Sequence, residues 1–342
     1  MGAGDLDEMV INQLYGFAAR REASAKLVNQ VAREISKLRP LWINHPLNLQ
    51  IDTQNYCNLK CAYCNVREGS AMNLPRGTMP METIQRILEY WRGTPMWCVA
   101  PFSNGEPLLE TRLPEINDMI QKTVGCMSVI DTNGSIYANR ELLIHPNMRL
   151  VRFTVSAATR ETYNKTMGVD LFPDVLSTVE WFKNNRYRQQ KMMIQFVSNK
   201  HNEHEIDDWV KLFSDYNLRI SGLHRNPLFQ EASENALGEK LTNPAERVIL
   251  IDAEGKTSFE KLKPNYPCSC WDIQSFGCDG SITQCVKFPY SFNYGNVVDT
   301  DLRKAWDERN RNAMNNPCCR GCNTRSPDSV SILKKWGGGH VQ

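Results

Sequence analysis

The chain has 342 residues, 41% hydrophobic and 23% charged, enough apolar material for one large catalytic domain and a smaller appendage. Forty basic residues stand against 38 acidic ones, a formal net charge of +2. That balance argues against a protein built to grip nucleic-acid backbone, and no run approaches the roughly 18 apolar residues of a membrane span.

Residues 1–45 read as helical, with Leu27, Val31 and Ile35 at a spacing of four on one face. The opening Met-Gly-Ala-Gly-Asp-Leu-Asp-Glu lacks the basic and apolar regions of a secretion signal, so a reducing, cytoplasmic location is expected. There, 12 cysteines point to metal binding rather than to disulfides.

From about residue 48 strands and helices alternate. Leu47–Asp52 has the period of a strand, and Ile84, Ile87, Leu88 and Trp91 trace a helical stripe after Pro80. Met96–Phe102, Met127–Asp131, Leu150–Ser156, Met192–Ser198 and Leu218–Leu223 are the next strand candidates, with helical stretches near 113–122, 173–185 and 204–215. This alternation implies an α/β fold with a parallel sheet and helices outside it. Six units suit a partial (β/α)6 TIM-like barrel better than a closed eight-stranded one. The expected division is a helical segment at 1–46, the barrel at 47–230, and a small Cys-rich domain with its linker at 231–342. In that last part Gln230–Glu246 reads as linker, and a helical stripe returns only at Leu302–Trp306.

The cysteines are bunched. Cys57, Cys61 and Cys64 lie in the loop just after the first strand, at the edge where parallel barrels build their sites. Three thiolates at these intervals can wrap one corner of a cubane [4Fe–4S] cluster and leave one iron open. A structural zinc site would want a fourth Cys or His close by, and the sequence offers none. Cys57-Asn-Leu-Lys-Cys61-Ala-Tyr63-Cys64 resembles the hallmark of the radical S-adenosylmethionine (SAM) superfamily, with Tyr63 as the aromatic residue before the last cysteine. The resemblance implies that the open iron chelates SAM, which is cut reductively to a 5′-deoxyadenosyl radical that takes a hydrogen atom from substrate.

Further segments match in order. Ser103-Asn104-Gly105-Glu106-Pro107 resembles the family's GGEP motif, which contacts the SAM amino group, with Asn104 replacing the first glycine. Gly105 would allow close backbone approach, and Glu106 can accept from an ammonium. Asp131-Thr-Asn133-Gly134 resembles the family's TNG turn, and Val155-Ser156-Ala-Ala with the later Tyr163-Asn-Lys-Thr-Met-Gly168 its fourth-strand segment, whose serine commonly contacts SAM. Gln195 on the fifth strand is a weaker carry-over. The resemblance covers roughly residues 48–225.

The tail is similar to the SPASM/twitch extension of these enzymes. Gly280 to Cys285 matches its GxxxxC element and Cys319 to Cys322 its CxxC pair. No cysteine follows Cys322, which favours the twitch form with one auxiliary [4Fe–4S] cluster on Cys285, Cys319, Cys322 and either Cys268 or Cys270. Zinc is the competitor there, because a closed four-cysteine set suits both metals. Cys278 and Cys318 stay unassigned. Asp279-Gly280 between apolar residues is a hairpin signal.

Two iron–sulfur sites imply an oxidoreductase or an epimerase. An auxiliary cluster could accept the substrate radical's electron, and a thiol could return a hydrogen atom; Cys98 and Cys126 are the barrel thiols to test as catalytic residues, although each also reads as a small core residue. The expected substrate is a small polyol, sugar or aminocyclitol, and the expected partner a reducing protein such as flavodoxin or ferredoxin. A peptide-modifying maturase and a non-catalytic electron-transfer protein are the alternatives. His224 and Arg225 are polar candidates near the sixth strand.

Overall fold

The computed structural model describes residues 45–64, 76–94, 96–222, 247–251, 253–254, 257–261, 273–283, 285 and 292–313. The helical expectation for 1–44, the Gln230–Glu246 linker, His224, Arg225, Cys268, Cys270, Cys318, Cys319 and Cys322 lie outside these residues.

Six strands run parallel in chain order: β1 (Asn48–Ile51), β2 (Cys98–Ala100), β3 (Met127–Thr132), β4 (Met148–Thr154), β5 (Lys191–Ser198) and β6 (Leu218–Gly222). Each lies within a few residues of the strand expected from apolar alternation. The crossovers carry α1 (Met81–Tyr90), α2 (Leu113–Thr123), α3 (Arg160–Met167), α4 (Phe172–Asn185) and α5 (Ile206–Leu212). On α1, Ile84, Ile87, Leu88 and Trp91 are fully buried against Leu49, Ile51 and Val99. On α4, Val175, Val179 and Phe182 pack on Phe153 and Ile194. The helix-facing side of the sheet is therefore the apolar side, as a sheet covered by crossover helices requires.

The sheet continues past the expected barrel boundary. β7 (Arg247–Ile251) pairs antiparallel with β6, and β8 (Thr257–Lys261) with β7. At the opposite edge β9 (Ile273–Phe276) lies parallel to β1, followed by β10 (Ser281–Thr283) and β11 (Asn293–Asn296) in antiparallel pairing. All eleven form one sheet, in the order β11-β10-β9-β1-β2-β3-β4-β5-β6-β7-β8. The Asp279-Gly280 signal does close the β9–β10 hairpin, with Gly280 N–H donating to Gly277 O at 2.9 Å. Phe276, Ile282, Val297 and, on α6 (Leu302–Ala313), Leu302 and Ala305 join the α1–β1 core. The described residues around β9, β10 and α6 thus share a core with the first strand. No described helix is long and apolar enough to cross a membrane.

Candidate active site

The loops after β1, β2, β3 and β4 meet at the C-terminal edge of the sheet. Asp52, one residue beyond β1, is fully buried and accepts from the Asn104 backbone N–H and side-chain amide, both at 3.0 Å. Burial pushes its carboxyl up to about 6, against the lowering pull of the Asn104 bonds. The asparagine that replaces the family's glycine therefore ties the β2 loop to the end of β1.

Next along that loop, Glu106 N–H donates to Tyr56 O at 2.8 Å, and the Gln54 amide donates to Glu106 O at 2.7 Å. Gly105 sits between these contacts. A Cβ there would fall 2.8 Å from both Gln54 O and Tyr56 O, inside any real carbon–oxygen contact. Gly105→Ala is expected to lower the thermal midpoint by several degrees, about 2 kcal/mol, because two backbone carbonyls must shift. A midpoint equal to wild type in a melting experiment would contradict this packing.

The Glu106 side chain turns inward. Its carboxylate accepts from Leu108 N–H (2.9 Å), Asn133 N–H (2.8 Å) and the Thr132 hydroxyl. Burial pushes it up to about 7, although all three bonds pull the other way. Glu106 thereby locks the β2 loop to the β3 turn.

Asn133 and Ser156 are bound into the protein in the same way. The Asn133 amide donates to Asn58 Oδ1 at 3.0 Å, which reaches into the cysteine loop. Ser156 is buried, and its hydroxyl accepts from Val197 N–H at 3.1 Å and lies 3.4 Å from the Tyr63 hydroxyl. Gln195 Oε1 accepts from Arg219. Tyr63 also donates to Met167 Sδ at 3.4 Å.

The cysteine loop is clamped a second time by the end of α3. Lys60 N–H donates to Met167 O at 3.1 Å and Ala62 N–H to Thr166 O at 2.9 Å. Gly168, in the left-handed region at φ 80°, ends the helix, and a Cβ on it would meet Lys60 O at 2.7 Å. Asp52 and Asn58 were not singled out from sequence, and the Tyr163–Gly168 segment was matched only to the fourth-strand pattern, not read as a clamp on the cysteine loop. Only the helix-stop glycine left a signal there.

Cys57 is the most exposed of the three thiols, with Cys61 and Cys64 half-buried. Burial, then the charges of Glu106 and Cys64, raise Cys57 to about 12. Cys61 is raised well above the usual thiol range by burial and by Cys64 and Cys57. Cys57 and Cys61 therefore stay thiols in the metal-free loop, and a cationic metal centre is what would convert them to thiolate ligands. Among the described residues no three His, Cys, Asp or Glu side chains converge on one metal-ion position. The loop presents separate sulfur donors, a set that suits a multi-iron cluster.

Cys98 and Cys126 are not brought to this edge. Cys98 is the first residue of β2, level with Asn48 at the start of β1, and its thiol donates to Asn48 Oδ1 at 3.0 Å. Cys126 immediately precedes β3 and is buried in the α1–β1 core. Both occupy the N-terminal edge, at the opposite end of their strands from the cysteine loop. Cys285 is buried two residues beyond β10, which runs down toward that same far edge. Cys278, in the hairpin turn, is at the near edge, and a Cβ on Gly77 would lie 3.3 Å from its sulfur.

On the face of the sheet turned away from the helices, Arg152 on β4 makes a two-point ion pair with Asp131 on β3, at 2.8 and 2.6 Å. Thr154 is level with Gln195, and Gln195 with Arg219. A polar row across β3 to β6 lies directly below the clasped loops.

Residues 51–213 match the model of the Radical SAM superfamily. The matched stretch is just under half of the chain. Among curated proteins, the chain is 25% identical over 208 residues to the molybdenum cofactor biosynthesis protein moc-5 of Caenorhabditis elegans, covering 59% of this chain but only 34% of that protein. It is 23% identical over 263 residues to a GTP 3′,8-cyclase of Thermodesulfovibrio yellowstonii, covering 70% of this chain and 81% of that one. The fold is similar to that of solved structures: anSMEcpe with bound AdoMet superposes with a TM-score of 0.58 at 16% identity, over 85% of this chain and 96% of that one. SuiB of Streptococcus suis bound to its precursor peptide SuiA gives 0.58 at 16% identity, over 87% and 74%.

Proposed function

We propose that this chain is a radical SAM enzyme whose catalytic [4Fe–4S] cluster is held by Cys57, Cys61 and Cys64. The observation that carries the reading is the clasped edge itself: a three-thiol loop on the end of β1 tied to the ends of β2, β3 and β4 by Asp52, Glu106, Asn133 and Ser156. With its open iron, the cluster supplies reductive cleavage of SAM to a 5′-deoxyadenosyl radical. The chain's own part is to hold the amino-acid end of SAM beside the Asn104–Glu106 backbone, Asn133, Ser156 and Gln195, and to bring Tyr63 alongside. The six parallel strands act as a partial barrel, and the polar row of Asp131, Arg152, Thr154, Gln195 and Arg219 as its substrate face.

The substrate is a small, hydroxyl-rich molecule such as a polyol, sugar or aminocyclitol, and the reaction a dehydrogenation. The polar row supports a small molecule over a peptide, and so does the relative named for chemistry on GTP. Epimerisation loses support because Cys98 and Cys126 lie at the far edge. Cys285, Cys319 and Cys322, with Cys268 or Cys270, hold an auxiliary [4Fe–4S] cluster that takes up the second electron, and a flavodoxin or ferredoxin supplies the first.

The test is anaerobic reconstitution followed by SAM and dithionite. The expected result is 5′-deoxyadenosine, with about eight irons per chain for two cubanes and about four if the tail binds none. A fully reconstituted, reduced protein that leaves SAM intact would overturn the proposal.

A further inference from the structure

We propose that Asn58 is a positioning residue for the cysteine loop, acting through a closed hydrogen-bond ring with Ser135 and Asn133 that fixes where Cys57 presents its sulfur. The Asn58 amide donates to Ser135 Oγ at 2.8 Å, the Ser135 hydroxyl donates to Asn133 Oδ1 at 2.6 Å, and the Asn133 amide donates to Asn58 Oδ1 at 3.0 Å. Every member gives one bond and takes one in the same sense around the ring, so each bond polarises the next. Asn133 and Ser135 are both more than nine-tenths buried. A broken ring therefore leaves buried polar atoms without partners, and the rotamers of all three side chains are held together.

The ring has a fixed anchor. Ser135 N–H also donates to Asn133 Oδ1 at 2.8 Å, and Asn133 N–H donates to the buried Glu106 carboxylate. Asn58 directly follows Cys57 in the chain, so the ring bolts that end of the loop to the β3 turn. The other end is held independently, through the Lys60 and Ala62 N–H bonds to the end of α3. The two halves of the loop thus have separate supports. Loss of the ring frees Cys57 on its Asn58 side, with Tyr56 on the other side still held by Glu106 N–H, and leaves Cys64 where it was.

The iron-binding role rests on the function proposed above, but the ring is testable without metal. In the metal-free, reduced chain, the alkylation rate of each cysteine by iodoacetamide is read by mass spectrometry. Ser135→Ala and Asn58→Ala are expected to speed Cys57 about fivefold and leave Cys64 within about twofold. Ser135→Thr, which keeps the hydroxyl, is expected to match wild type. After reconstitution, Ser135→Ala and Asn58→Ala should shift the electron paramagnetic resonance envelope of the reduced cluster, again with Ser135→Thr unchanged. Ser135→Ala deletes a single oxygen, so it reports even where Asn58→Ala does not fold. Wild-type alkylation of Cys57 in folded Ser135→Ala, or equal acceleration of all three cysteines, would overturn the proposal. A wild-type chain that binds no iron while the alkylation pattern holds would remove the function reading and leave the ring standing.

Discussion

Cys61→Ala is expected to lower 5′-deoxyadenosine formation by at least about a thousandfold, whereas Cys98→Ala should change it by no more than about twofold. Cys61 is the middle donor of the loop, its thiol raised by burial and then by the charges of Cys64 and Cys57. The fold should tolerate the change. Cys61 only packs partly against the main core, and the backbone clamps on Lys60 and Ala62 use no side-chain atoms of residue 61. Cys98 has the opposite standing: its thiol bonds Asn48 at the start of β1, a strand length from the loop. Product formation by chromatography and iron content per chain, measured in parallel, separate a lost cluster from a lost fold. Full activity in a folded, reconstituted Cys61→Ala protein would remove the three-thiol site.

Metal-free protein is expected to be more stable near pH 5 than near pH 8, the reverse of the usual contribution from paired carboxylates. Asp52 is raised from 3.8 to about 6 and Glu106 from 4.5 to about 7, in both cases chiefly by burial. Between the unfolded and folded values the native state binds more protons than the unfolded chain. Stability from these groups is therefore fully present below about pH 4 and declines as pH rises through 6 and 7. Each group contributes about 3 kcal/mol to that decline. Exposed carboxylates such as Asp170 beside Arg160 are shifted downward by their partner and slope the other way, but weakly, because solvent screens them. Urea midpoints of wild type and Asp52→Asn across pH 4.5–8 isolate the effect. The variant curve should be the flatter one by about 2 kcal/mol over that window; parallel curves would show that Asp52 ionises normally.

Sequence carried the frame of this molecule because the information lay within single elements. The alternation of Leu47–Asp52 and the stripe of Ile84, Ile87, Leu88 and Trp91 are local patterns, and the structure has β1 and α1 where they fall. The spacing of Cys57, Cys61 and Cys64, like the Asp279-Gly280 hairpin, needs only a few neighbouring residues to be recognised. What stayed hidden was every relation between distant segments. Nothing in periodicity tells that β9 lies beside β1 and joins its core, because pairing at a sheet edge depends on which strand leaves that edge open. The residues expected to touch cofactor proved to have bonds of their own. Asn104 holds Asp52, Asn133 and Ser135 hold Asn58, and Ser156 holds Val197.

A sequence names which groups are polar and roughly where their strands end. Which partner each group finds is decided by packing, since a buried donor or acceptor must take whatever the fold brings within about three ångströms. Strand direction separated Cys98 and Cys126 from Cys57, Cys61 and Cys64. One residue type at two ends of a parallel strand has two unrelated environments, and only the assembled sheet tells them apart.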